Sequence, residues 1–248
     1  MSEKPAIVIA QGSWQNASSY DLILEKLHAA GYLAEHVKLP SIGSTATPLP
    51  GFADDVAAIQ SVLARFRDAR KKVVVLCHSS GGVSGSNAIA GFDNVGGVIY
   101  LSAFMIPKGT SLARTRNGPP QPWMDMQGDR IFLHEEVLAD AIYQDLDEES
   151  RSKWVKEVSH TSTALFDGVS NYEPWTEGVP CAYIFCGEDK ALHLQNQRDM
   201  AAQLGPEAIT ATVNAGHSPF LSVPDELVAA IAEVEGKLSQ KSAVYLGR

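Results

Sequence analysis

Short apolar runs alternate along the chain with longer segments in which apolar residues recur at helical spacing. The runs have the length and β-branched character of strands buried on both faces of a sheet. They lie at residues 6–10, 32–39, 73–76, 95–101, 181–186 and 208–214, and the striped segments at residues 20–30, 52–66, 194–204 and 224–238. This alternation predicts an α/β fold, in which a mostly parallel, twisted sheet is covered by helices on both faces.

The alternation stops between residues 107 and 175, where the sequence predicts no buried strand. A loop rich in Pro and Gly at residues 117–123 is followed by helical patterns at 135–144 and 148–158, with aromatic residues scattered throughout. Such an insertion is typical of a lid over an apolar pocket. We therefore predict a core domain, residues 1–106 and 176–248, and a mainly helical lid insertion, residues 107–175. The last ten residues are predicted to form a loose tail.

The third apolar run leads directly into the sequence CHSSGG, which is typical of a nucleophile elbow. In that tight turn the residues two before and two after the nucleophile must be small. Ser79 has Cys77 and Gly81 at these positions, whereas Ser80 would have His78, whose imidazole does not fit. We predict Ser79 as the nucleophile. The competing interpretation is a plain turn whose serines cap the following helix.

A serine nucleophile needs a histidine base and a carboxylate that orients the histidine. His217 follows a strand-like run and is predicted to be the base. The other histidines lie in the first helix, in the second strand, beside the serine, in the lid, or just after the candidate acid: His28, His36, His78, His134, His160 and His193. Three carboxylates compete for the acid, Glu188, Asp189 and Asp199, and composition does not separate the first two. The predicted oxyanion donors are the backbone amides of Ser80 and Ser13.

Composition narrows the class of partner. The net charge is −9 without any long basic run, which argues against nucleic acid or an anionic membrane surface and favours a neutral small molecule. Three cysteines, Cys77, Cys181 and Cys186, have neither disulfide nor zinc spacing, which indicates a reducing compartment. No signal peptide or membrane span is apparent, so we expect a cytoplasmic protein.

The motifs together resemble the α/β-hydrolase superfamily, and within it the small single-lid branch of plant methylesterases, hydroxynitrile lyases and related microbial esterases. The matching pieces are QGSW, CHSSGG, LSAF, YIFCGEDK and GHSPF, which begin at Gln11, Cys77, Leu101, Tyr183 and Gly216. The resemblance implies Asp189 as the acid, no cofactor, an apolar pocket under the lid and often a homodimer. Predicted substrate contacts are Gly12, Trp14, Phe104, Trp123, Tyr143 and Trp154.

Three positions depart from the family pattern. Gln11 replaces the usual His before Gly12, and this change affects the hydrogen bonding of the oxyanion loop. Gly12 and Ser218 stand where the hydroxynitrile lyases carry Thr and Lys, which counts against lyase chemistry.

Three functions fit these residues to different degrees. The leading hypothesis is a cofactor-free serine hydrolase for a carboxylic ester or lactone of a small, largely apolar molecule. The alternative uses the His–Asp pair as a general base for C–C cleavage or rearrangement, since the fold does not determine the chemistry. A third interpretation, a non-catalytic small-molecule receptor, is disfavoured by the intact set of Ser79, Asp189 and His217.

Overall fold

The structure is a computed structural model that describes residues 4–115 and 123–246, with side chains described to residue 241. The strands are β1 (Ala6–Ala10), β2 (Ala34–Val37), β3 (Val73–His78), β4 (Val95–Leu101), β5 (Met124–Gln127), β6 (Arg130–Leu133), β7 (Thr161–Ser162), β8 (Cys181–Cys186) and β9 (Ile209–Val213). The helices are α1 (Asp21–Ala29), α2 (Phe52–Asp68), α3 (Gly81–Ala88), α4 (Leu112–Thr115), α5 (Glu135–Ile142), α6 (Glu148–Lys156), α7 (Thr163–Asp167), α8 (Leu194–Ala201), α9 (Pro219–Ser222) and α10 (Pro224–Leu246). Short 3₁₀ turns at Ala17–Tyr20 and Ala202–Leu204 complete the assignment.

The central sheet is parallel, as the alternation predicted, and its six strands lie in the order β2-β1-β3-β4-β8-β9. Successive side chains of a strand face opposite sides of the sheet. In β1, Val8 therefore packs with α2, whereas Ile7 and Ile9 pack with α1 and α10. The four inner strands are almost entirely buried, which explains why they are almost wholly apolar in sequence. The edge strands β2 and β9 include polar residues that are partly or fully exposed. All the loops that leave its carboxyl edge meet on one side, where ligands bind in such sheets.

The insert, residues 107–175, contains the two helices predicted there and a small sheet that the sequence pattern did not predict. Strands β5, β6 and β7 pair antiparallel in that order. Each has four residues or fewer, and β5 is partly or fully exposed along its length, so no buried apolar run marks them. The predicted Pro-rich loop falls largely on residues 116–122, which lie outside the described residues.

The C-terminal prediction was wrong for most of the last ten residues. Helix α10 continues to Leu246 instead of ending near residue 238. The apolar stripe stops at Leu238, which is why periodicity ended the predicted helix there. The following residues include Gln and Lys, which favour helix without needing to be buried. Among the described helices, none has the length and apolar character needed to span a membrane.

A buried carboxylate connects α2 to the loop that follows β2. The Asp55 side chain accepts hydrogen bonds from the amide and hydroxyl of Ser41, at 2.9 and 2.6 Å. The Ser41 carbonyl in turn accepts from the amide of Ser162 in the insert. Burial raises the pKa of Asp55 to about 6, although the hydrogen bonds from Ser41 oppose the shift.

Glycines at the turn after β3 allow a very close approach of backbone segments, and we expect Gly82→Ala to destabilise the fold. A Cβ at Gly82 would collide with the carbonyl oxygen of Phe104, which is backbone and cannot swing away. The free energy of unfolding should fall by about 1–3 kcal/mol or more. The control is Gly236→Ala in α10, where a Cβ meets no atom within 4 Å. Gly236→Ala should raise the free energy of unfolding by roughly 0.5–1 kcal/mol. Urea titration of both variants and the wild type measures these changes. Equal effects of the two variants would contradict the claim that the backbone at Gly82 leaves no room for a Cβ.

The raised pKa of Asp55 predicts a loss of stability as the pH rises. Because the folded state holds this proton up to about pH 6 and the unfolded chain only to about pH 4, unfolding is favoured progressively between these values. Between about pH 5 and pH 8 the contribution is on the order of 1 kcal/mol. Urea unfolding of the wild type and of Asp55→Asn at both pH values measures it. The wild type should lose more stability than the variant, and parallel losses would refute the prediction.

Candidate active site

Ser79 occupies a strained turn between β3 and α3. Its φ is 52°, a left-handed conformation that serine rarely adopts. Ser80 has an ordinary helical conformation with φ of −60°. A Cβ at Gly81 would collide with the carbonyl oxygens of Ala10 and Gln11, so only glycine fits two residues after Ser79. These are the features expected of a nucleophile elbow centred on Ser79 and not on Ser80.

The loops after β8 and β9 bring Asp189 and His217 together. The Nδ1 atom of His217 lies 2.7 Å from Oδ2 of Asp189, and Asp189 is 4% exposed. The side chain of Glu188, the competing candidate, is exposed to solvent. His217 and Ser79 both line the same cavity. The geometry therefore separates two carboxylates that composition left equal.

Four donors hold the carboxylate of Asp189. Ser102 Oγ donates to Oδ2 at 2.5 Å, on the same oxygen as His217, and the amides of Ala191 and Leu192 donate to Oδ1, each at 2.8 Å. Burial acts to raise the pKa of Asp189, but the nearby His217 and these hydrogen bonds outweigh it and lower the pKa below its usual value. Asp189 is thus held as a carboxylate. Ser102 was not among the predicted site residues; its position at the end of β4 was the available signal.

The loop after β1 approaches the elbow, where Ser13 Oγ lies 2.8 Å from Ser80 Oγ. In this loop the amide of Gly12 donates to Tyr20, that of Trp14 to Thr161, and that of Gln15 to the Ser13 carbonyl. Among the backbone amides of residues 12–15, only that of Ser13 has no acceptor within the described part of the protein. The predicted oxyanion donors, Ser13 and Ser80, thus lie side by side at the cavity.

His78, which the sequence analysis did not favour as the base, contacts the backbone of His217. Its Nε2 lies 2.9 Å from the carbonyl oxygen of His217, and its Nδ1 lies 3.1 Å from Tyr20 Oη. Burial, together with the neighbouring His217, lowers the pKa of His78 to about 3, so its ring is neutral at ordinary pH. Because a carbonyl only accepts, Nε2 carries the proton and donates it. A second link runs from Gln15 Nε2 to Ser218 Oγ, at 2.8 Å.

A cavity of about 610 Å³ opens above these groups. Its lining is mainly apolar and includes three of the predicted substrate contacts, Trp14, Phe104 and Trp123. The insert supplies further apolar residues, among them Leu112 and Phe166. Within the described residues no cluster of three His, Cys, Asp or Glu side chains is arranged to hold a metal ion.

Three predicted substrate contacts are not among the described residues that line the cavity. A Cβ at Gly12 would lie 2.8 Å from the Cβ of Ser79, so Gly12 lets the loop approach the elbow. Tyr143 is 1% exposed and packs with Leu138 and other apolar residues of the insert. Trp154 also packs against that cluster, with the ammonium of Lys153 over its ring. Periodicity does not reveal which aromatic side chains face a ligand and which face each other.

A sequence profile described as the alpha/beta hydrolase family matches residues 7–230. The chain belongs to the alpha/beta hydrolase family. The matched range contains Ser79, Asp189 and His217. Family membership accounts for the six-stranded parallel sheet and for the elbow between β3 and α3.

Individual relatives within the alpha/beta hydrolase family are distant but match over nearly the whole chain. An alpha/beta hydrolase of Aspergillus novofumigatus is 26% identical over 246 residues, which is 94% of this chain and 98% of the relative. Methylesterase 7 of Arabidopsis thaliana is 26% identical over 249 residues, covering 93% and 96%. The crystal structure of a pyrethroid hydrolase from Sphingobium faniae superposes with a TM-score of 0.77 at 23% identity, covering 94% and 97%.

The hydrogen bond between His217 and Asp189 predicts that Asp189, and not Glu188, is the carboxylate needed for ester hydrolysis. We expect Asp189→Asn to lower kcat for p-nitrophenyl acetate by roughly 1,000-fold or more, because an amide neither stabilises an imidazolium nor selects the same tautomer. The control Glu188→Gln changes an exposed side chain and should keep kcat within about three-fold. Circular dichroism verifies that both variants are folded. A larger loss in Glu188→Gln than in Asp189→Asn would overturn the assignment.

Proposed function

We propose that this alpha/beta hydrolase is a cofactor-free serine hydrolase that cleaves a carboxylic ester or lactone of a small, largely apolar molecule. The observation that carries the proposal is the meeting of a strained serine and a buried His–Asp pair at one apolar cavity. An unstrained serine, or a histidine without its carboxylate, would not support it.

In the proposed reaction Ser79 Oγ attacks the carbonyl carbon of the ester while His217 Nε2 accepts the hydroxyl proton. Asp189 holds the Nδ1–H of the ring and stabilises the imidazolium that forms. The imidazolium then protonates the departing alcohol oxygen and leaves an acyl-serine. Water, deprotonated by His217, attacks this acyl group and releases the acid, which restores Ser79.

The negative oxygen of each tetrahedral intermediate would be held by the amides of Ser13 and Ser80. Two observations support this role: both residues line the cavity beside Ser79, and the hydrogen bond between their hydroxyls joins the two loops. Donors that are already in position need no reorganisation when the charge develops. In acyl transfer such donors stabilise the transition state strongly and so raise the rate.

The substrate class is inferred from the cavity and from the relatives. Indole and phenyl rings from Trp14, Phe104, Trp123 and Phe166 favour an apolar substrate, and about 610 Å³ suits a small molecule. A methylesterase and a pyrethroid hydrolase are among the related proteins. We propose that residues 107–175 act as a lid, because several of their apolar side chains form one side of the cavity.

The test is intact-mass spectrometry after incubation with a fluorophosphonate, paired with turnover of p-nitrophenyl acetate. We expect the wild type to gain one adduct and Ser79→Ala to gain none and to lose turnover. The matched control is Ser80→Ala, which removes a neighbouring hydroxyl but keeps the backbone amide; it should still form the adduct. His217→Ala should lose the adduct because Ser79 is no longer activated.

The opposite results have distinct meanings. Labelling that persists in Ser79→Ala but disappears in Ser80→Ala would assign the nucleophile to Ser80. A folded wild type that forms no adduct and cleaves no ester would refute the proposal. The search would then turn to general-base chemistry by the His–Asp pair, such as C–C cleavage.

A further inference from the structure

The turn between α5 and α6, residues 143–147 of the insert, contacts the loops that carry the candidate acid and base. Gln144 Nε2 donates to the carbonyl oxygen of Glu188 at 2.6 Å. The amide of Gly216 donates to Asp145 Oδ2 at 2.7 Å. Each contacted residue immediately precedes one member of the pair Asp189–His217. The turn therefore joins the two loops whose separation sets the length of that hydrogen bond.

We propose that Asp145 is a positioning residue, which holds the loop of His217 in the geometry that catalysis requires. The inference rests on the proposed function, because it assumes that His217 is the base. It assigns a second role to the insert. Besides covering the cavity, this segment would hold the loops of Asp189 and His217 in fixed positions relative to each other.

The fit between the turn and the loop is close. A Cβ at Gly216 would lie 2.7 Å from Cδ of Gln144 and 2.8 Å from Oδ1 of Asp145, so glycine is what permits the contact. The loop cannot shift toward the insert without meeting these two side chains.

The turn is itself fixed within the insert. Asp147 caps α6, accepting from the amide of Ser150 at 2.9 Å. The guanidinium of Arg151 donates to the carbonyl oxygens of Gln144 and Leu146, each at 3.0 Å. A carboxylate on a fixed turn can restrain the loop that it contacts, whereas one on a loose segment would follow the loop's motion.

His217 is held from two sides. Asp145 binds the amide that precedes it, and His78 donates to its own carbonyl oxygen at 2.9 Å. Loss of Asp145 would leave the anchor of His78 and the hydrogen bond to Asp189, so the base loop should loosen without unfolding. Asp145 is solvent-exposed, and its truncation opens no buried cavity.

The central experiment compares Asp145→Ala with Asp145→Asn. Alanine removes the acceptor for the Gly216 amide, and a misplaced base is costly, so kcat for p-nitrophenyl acetate should fall about 10- to 100-fold. KM should stay within about two-fold because Asp145 is not among the residues lining the cavity. Asparagine keeps an acceptor oxygen and should restore kcat to within about three-fold. Asp140→Ala, an exposed carboxylate of α5, is the control for charge and should leave kcat unchanged.

A second readout does not require turnover. The Nδ1 proton of His217, bonded to Asp189, should give a low-field proton resonance, assigned by its loss in His217→Ala. We expect this resonance to broaden or move in Asp145→Ala and to persist in Asp145→Asn and Asp140→Ala. If kcat and the resonance are both unchanged in Asp145→Ala, the positioning role is overturned. The role is also rejected if asparagine is as damaging as alanine.

The two hypotheses fail in different ways. If the wild type shows the resonance but neither ester turnover nor labelling, the proposed hydrolase function is wrong. The resonance in Asp145→Ala still decides whether the insert holds the His217 loop. If the wild type is active and Asp145→Ala retains full kcat with an unshifted resonance, the hydrolase function stands and the positioning role is rejected.

Discussion

The buried hydrogen bond between Asp189 and His217 constrains where several distant segments of the chain must lie. A carboxylate at 4% exposure is costly unless all its lone pairs are satisfied. Here the end of β4 supplies the Ser102 hydroxyl, the loop after β8 supplies two amides, and the loop after β9 supplies the imidazole. Three separate segments must therefore meet at one point, and the parallel sheet meets this requirement by ending its strands at a common edge.

The second constraint is the close approach of the loop after β1 to the elbow, which requires glycine at the points of contact. The loop after β1 can reach the elbow because Gly12 and Gly81 leave room for it. This approach brings Ser13 to Ser80, and it lets Gln15 and Tyr20 take part in the network behind His217. Strain at Ser79 is sustained by this packing, as is usual for a residue held in an unfavourable conformation at a functional site.

The insert, residues 107–175, also contributes to this region of the molecule. Its apolar side chains form one side of the cavity, and its turn at residues 143–147 contacts the loops before Asp189 and His217. A segment that evolves to accept a new substrate must then preserve those contacts or replace them. The residues that line the cavity and the turn that contacts the loops of Asp189 and His217 thus belong to one insert but occupy different parts of it.

The amino-acid sequence was enough to predict the sheet strands, the elbow at Ser79 and the base candidate His217, because run length, small residues and chain order are local properties. It did not determine the short insert strands, which bury too little to leave a pattern, or the length of α10. The folded chain supplied the physical reason to prefer Asp189, which the family resemblance implied and composition did not, and it brought Ser102 and His78 to the pair. It also packed Tyr143 and Trp154 among apolar residues of the insert, and neither is among the described residues that line the cavity. These outcomes depend on contacts between residues far apart in the chain, and no local pattern encodes which distant side chain will be the neighbour.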